Sequence, residues 1–143
     1  MRCYSTRTSP WPPAVGQPDA YAGELPVAYV TLKAGATADA ESLLAFVAPR
    51  VGEPAARPKR ICVLGEMPVT PVGKIYKTAL RVLATRRVVE ETLRAIGLDP
   101  AQFALDVSER ETTVCLNDAA HKVAVKAALL GMPIRYSIRS GAA

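Results

Sequence analysis

The sequence predicts an α+β fold, a small open sheet with helices on one face, followed by a β-β-α-β extension. Three observations carry this. Short runs rich in β-branched and aromatic residues alternate with stretches whose apolar residues recur at helical spacing. Glycine and proline punctuate nearly every boundary between them. The chain has 143 residues, half of them hydrophobic and 22% charged, which suits one domain with a core or two small subdomains.

The elements follow in order. Residues 1–11 are basic and polar, without the apolar centre of a signal peptide, and read as a disordered leader. A first short strand precedes a turn at Gly16-Gln17-Pro18-Asp19, and a second strand covers Val27–Leu32. Thr37 is the expected N-cap of a helix whose first turn holds Asp39 and Glu41. That helix turns Ala40, Leu43, Leu44, Val47 and Val51 to one side, and Pro49 should kink or end it. A strand is centred on Ile61–Leu64. After a proline-rich loop, a long helix directs Leu80, Leu83, Val89, Leu93 and Ile96 to a core and stops at Gly97, with Pro100 beyond. The tail repeats the pattern on a smaller scale. Two strands flank a turn at Ser108–Arg110, Asn117 or Asp118 caps a helix over residues 119–130, and Gly131 and Pro133 precede a last strand in residues 134–139. The resulting organisation is a leader 1–11, a domain 12–97 and an extension 98–143 packing on it.

No apolar run approaches the roughly 20 residues that span a bilayer. The three cysteines, Cys3, Cys62 and Cys115, are far apart and odd in number. They argue against a disulfide framework or a metal site and for a reducing, cytoplasmic setting. The net charge of +5 is concentrated: between Arg50 and Arg87 nine Lys/Arg face only Glu53 and Glu66, leaving +7 on that segment. Such a patch suits a phosphate-bearing partner, a nucleotide, a coenzyme or a nucleic acid.

In the middle of the patch stands PVTPVGKIYKTALR, Pro68 to Arg81. Two prolines fix φ and remove backbone donors, Gly73 opens conformations closed to other residues, and Lys74 follows at the end of a stiffened loop. The stretch resembles the final core motif of the adenylate-forming enzymes, the superfamily of acyl- and aryl-CoA synthetases, peptide-synthetase adenylation domains and luciferase. Pro68, Thr70, Gly73, Lys74, Ile75, Lys77, Leu80 and Arg81 all match its pattern. Upstream, AVGQPDAYAGELPVAYVTL and RPKRICVLGEMP resemble the family's preceding segments in the same order. The phosphate loop and the hinge of the large domain have no counterpart, so the chain resembles the C-terminal lid alone. The tail is similar to an extension on some bacterial fatty acyl-CoA synthetase-like members.

The resemblance implies an acid–thiol ligase of fatty acid metabolism, activating a small carboxylic acid with ATP and magnesium and passing it to coenzyme A. Lys74 would serve the adenylation step, held by a loop of Pro68, Thr70 and Gly73. Lys59, Arg60, Lys77 and Arg81 are candidate contacts to phosphate or coenzyme A; a solvated face explains Lys77 and Arg81 about as well, and for Lys59 and Arg60 surface charge is the better explanation. The partner implied is an N-terminal adenylation domain, and a homodimer through the extension stays open. The isolated chain is expected to bind no cofactor and to be inactive. His121, without an acid or nucleophile partner in sequence, reads as structural or exposed. The competing reading is a stand-alone basic module for nucleic acid or protein, which scattered aromatic residues do little to support; no nucleic acid is expected. A third, a regulatory domain, rests on the tail's strand–helix pattern alone.

Overall fold

The computed structural model describes residues 12–32, 39–52 and 57–140. The leader, Thr37 and Glu53 lie outside the described residues. The fold is α+β, and the described residues form two three-stranded sheets and three α-helices. The described residues divide into two compact units, one of those up to Gln17 together with those from Leu25 to Arg81, the other of Pro18–Glu24 together with those from Val82 onward.

The first sheet holds β1 (Ala14–Asp19), β2 (Gly23–Val30) and β3 (Arg60–Val63), in that order. The turn expected at Gly16–Asp19 is instead the body of β1. Pro18 has no N–H to give to a ladder, yet β1 is an edge strand, where proline is tolerated. The chain reverses one step later, where the Asp19 carboxylate accepts the N–H groups of Tyr21 and Ala22 at 3.0 and 2.8 Å. Strand β2 pairs in parallel with β3, Val27 opposite Arg60 through Val30 opposite Val63. It is buried on both faces, as parallel-paired central strands are: Val27 and Tyr29 on one, Ala28 and Val30 on the other.

Helix α1 (Ala40–Val47) makes the parallel crossover between β2 and β3. Its N-cap is Asp39 rather than Thr37: the carboxylate accepts the Ser42 N–H at 2.7 Å, which holds the Asp39 carboxyl below its ordinary range. Leu43 and Val47, one turn apart, pack with Ala28, Val30 and Ile61, and Leu44 and Val51 border this cluster. Pro49 ends the α-helix as expected, in a 3-10 turn over Ala48–Arg50.

Helix α2 (Lys77–Ala95) begins in the first unit and ends in the second. Leu80, Ala84, Val89 and Leu93 are its buried residues; Leu83 and Ile96, expected in the core, remain 38% and 41% exposed. The small Ala84 occupies the inward position beside Leu83. Gly97, at φ +96°, closes the helix. The Leu98 N–H reaches the Leu93 carbonyl at 3.1 Å and the Gly97 N–H reaches Arg94 at 3.0 Å, the paired bonds of a Schellman end.

The second sheet holds β4 (Phe103–Val107), β5 (Thr112–Leu116) and β6 (Tyr136–Ser140). Strands β4 and β5 are antiparallel and β5 and β6 parallel, joined by α3 (Lys122–Leu129). This hairpin–helix–strand order repeats that of the first unit. Asp118 caps the 3-10 turn Ala119–His121 that leads into α3 by accepting the Ala120 N–H at 2.9 Å. Val89, Leu93 and Leu98 join Val114, Leu116, Val125 and Leu129 in one core on one sheet face, bordered by Leu105 and Ile138. Thr113 and Ser137 stand on the other face, their hydroxyls 3.3 Å apart.

Candidate functional site

Residues Thr70-Pro71-Val72-Gly73-Lys74 form a five-residue reversal whose geometry follows from the residue types. The Gly73 N–H donates to the Thr70 carbonyl at 2.9 Å, closing a β-turn with Pro71 at the position where a fixed φ is useful. Val72 has no positive φ, so the turn is type I rather than type II. Gly73 then takes φ +84°, and the Thr70 N–H closes the reversal on the Lys74 carbonyl at 2.7 Å. A type I turn followed by a left-handed residue is a standard three-residue hairpin loop. The Thr70 hydroxyl accepts the Lys74 N–H at 3.1 Å, and below the turn Val69 bridges Ile75 while the Tyr76 N–H reaches the Pro68 carbonyl at 3.0 Å. The lysine's own backbone is thus held through both its N–H and its carbonyl.

The Lys74 side chain is exposed and, among the described residues, makes no hydrogen bond or ion pair. Three residues after it α2 begins, with no acid in its first turn. Lys77 stands there instead, at the positive end of the helix dipole, and Arg81 follows one turn on; both are exposed. Three cations therefore stand at one junction with no carboxylate in the helix's first turn. Pro68 and Thr70 are half-buried at the base of the loop, while Gly73 lies at its exposed tip.

Lys59 and Arg60 are placed differently. They enter β3 at its start, where the Lys59 N–H extends the ladder to the Pro26 carbonyl at 2.7 Å, whereas the Lys74 loop leaves from the strand's end. The rest of the basic segment has structural employment. Arg50 stacks on Phe46, its guanidinium 3.8 Å from the ring centre, and donates to the Phe46 carbonyl. Arg57 holds the Val51 carbonyl at 3.0 Å, Arg86 the Leu105 carbonyl at 3.1 Å, and Arg87 pairs with Glu91 at 3.2 Å. His121 is half-buried in the 3-10 turn before α3.

Sequence reasoning missed the apolar side chains around the lysine. Val69, Val72 and Tyr76 are 49%, 81% and 46% exposed on the same hairpin and its exit. The signal was present in the motif itself, where large apolar residues occupy a turn that has no core to fill.

A small α+β domain presenting one lysine on a braced turn is the class these features define. Residues 14–74 match the family of the AMP-binding enzyme C-terminal domain. The chain is 44% identical over 117 residues to a marinolic acid–CoA ligase of Pseudoalteromonas sp., covering 80% of this chain and 18% of that protein. It is 43% identical over 76 residues to an acetyl-coenzyme A synthetase of Deinococcus radiodurans, covering 53% of this chain and 12% of the relative. Among solved structures, an amide bond synthetase from Marinactinospora thermotolerans is 37% identical, with 51% of this chain and 15% of that one covered and a TM-score of 0.45. The chain carries a C-terminal domain of the AMP-binding, adenylate-forming superfamily. It spans less than a fifth of the length of these curated relatives. The marinolic acid–CoA ligase match covers more of the chain than residues 1–97 can hold, so it takes in part of the tail.

Proposed function

We propose that the chain is the lid of an acyl-CoA synthetase, residues 12–97 forming the lid proper and 98–143 its extension. The parent enzyme would act in the cytoplasm on a carboxylic acid, ATP with its magnesium, and coenzyme A. In the first half-reaction a carboxylate oxygen bonds to the α-phosphorus of ATP and pyrophosphate leaves. In the second, the coenzyme thiol gives up its proton and attacks the acyl carbonyl, and AMP leaves. Both partners of the first step are anions, and charge gathers where they meet. An ammonium fixed at that point stabilises the transition state in a site that excludes water.

The observation that carries this reading is the Thr70–Lys74 hairpin, which fixes the lysine backbone and leaves its ammonium exposed and without a partner among the described residues. Two further features support it. Lys77 at the positive end of α2 costs about 0.3–1 kcal/mol, an expense that an arriving phosphate reverses. The exposed Val69, Val72 and Tyr76 supply an apolar surface for the main domain to cover during closure.

The chain alone is expected to release no pyrophosphate from ATP with acetate or a fatty acid. The test is a parent main domain supplied with and without this chain in trans. Pyrophosphate release should rise when the chain is added. Release by the pure chain, or no gain on addition, would overturn the reading.

A further inference from the structure

Helix α3 is apolar on two opposite sides. Val125 and Leu129 are buried against the second sheet. On the outer side stand Val123 and Ala127, continued by Ala120 in the preceding 3-10 turn and by Leu130 at the C-cap, at intervals of three, four and three residues; all four are exposed, Val123 by 80% and Leu130 by 73%. That spacing forms the seam along which one helix packs on another. Lys122 and Lys126, one turn apart, flank it, and neither makes a hydrogen bond or ion pair among the described residues. The helix itself, KVAVKAAL, contains no acid.

The charges select the occupant. A second copy of the chain laid along α3 would bring four lysines together with no carboxylate from either helix, and like charges across such a seam oppose pairing. A lipid surface would suit the lysines only if they edged a broad apolar face, whereas here the face is one residue wide with alanine at alternate positions. A helix with its own apolar seam and carboxylates beside it satisfies both features: its leucines or valines pack between Val123 and Leu130, close across Ala127, and its acids meet Lys122 and Lys126. We propose that the outer face of α3 is a docking site for an acidic amphipathic helix of a partner protein.

The probe is a fluorescent helical peptide with leucine at seam positions and glutamate beside them, titrated with the full chain. Its controls are the same peptide with lysine for glutamate and a sequence-scrambled peptide. The acidic peptide should bind, more weakly as salt is raised, and the lysine peptide should not. Val123→Asp, at a site exposed enough to leave folding intact by circular dichroism, should weaken binding at least about tenfold. The Lys122→Glu, Lys126→Glu double variant should exchange the preference, losing the acidic peptide and gaining the basic one. Equal binding of both peptides, or of neither, overturns the proposal. So does sedimentation showing a dimer that Val123→Asp dissociates, which would make a second copy the occupant. Failure of the full-length parent to bind the peptide that the chain binds would show that the rest of the enzyme covers the seam, and would overturn it as well.

Discussion

Replacing Gly73 by alanine isolates the backbone of the Lys74 hairpin from everything around it. A Cβ built on Gly73 meets nothing within 4 Å, so the substitution carries no steric clash with neighbours. What remains is the φ of +84°, a left-handed conformation that costs an L-residue roughly 1–2 kcal/mol. That penalty lowers the population of the closed hairpin about 5- to 30-fold relative to open forms. The loop has little burial of its own, so it should open locally without unfolding the domain. Hydrogen exchange followed by NMR reads this directly. The Thr70, Gly73 and Tyr76 amides, bonded at 2.7, 2.9 and 3.0 Å, should lose protection by about that factor, while the amides of β2 and β3 should not change. Gly73→Asn, which tolerates the left-handed region, should retain most of the protection. Unchanged protection in the alanine variant, or equal loss in both, would refute the claim that the glycine conformation holds the lysine in place.

Leu93→Ala removes a fully buried side chain from the second core and should cost about 2–5 kcal/mol in urea denaturation. Gly97→Ala places a Cβ in open space at φ +96°, and should cost about 1–2 kcal/mol of stability from the backbone alone. Asp39 has its folded-state pKa depressed by the Ser42 N–H, so its contribution is present above the ordinary carboxylate value and is lost as pH falls through the lower folded value. Asp39→Asn, which keeps an acceptor at the cap, should flatten that part of the acid limb in a thermal-melt series from pH 5 to about pH 2.

The loop was legible in the sequence because its residues are required one by one. Pro71 presets the turn, Gly73 supplies the positive φ, and Thr70 supplies the bracing hydroxyl. Gly97 was legible for the same local reason. The errors share a different cause: tertiary context decided where local signals pointed elsewhere. Gly16 and Pro18 look like a turn until β1 is known to be an edge strand. Leu83 looks like core until the helix shows Ala84 inward beside it. The charge of the basic segment was counted correctly, but a count does not show which cations are already engaged. Arg86 reaches Leu105, nineteen residues on, and Arg57 and Arg50 hold nearby carbonyls. Once these are set aside, Lys74, Lys77 and Arg81 stand as the exposed cations of one junction, and that grouping could not be read from composition.

The most direct test of the account is Lys74→Ala in the full-length parent, with the two half-reactions measured separately. Loss of one charge-stabilising contact of this kind costs on the order of 2.7–4 kcal/mol, about a hundred- to a thousandfold in rate. Adenylation, followed as pyrophosphate release, should fall by that factor. Thioester formation from a supplied acyl-adenylate should be largely spared, because in the proposed role the ammonium serves where carboxylate meets α-phosphate and not where the thiol attacks. Equal losses in both half-reactions would contradict the account, and would make Lys74 a residue of folding or docking instead of one chemical step.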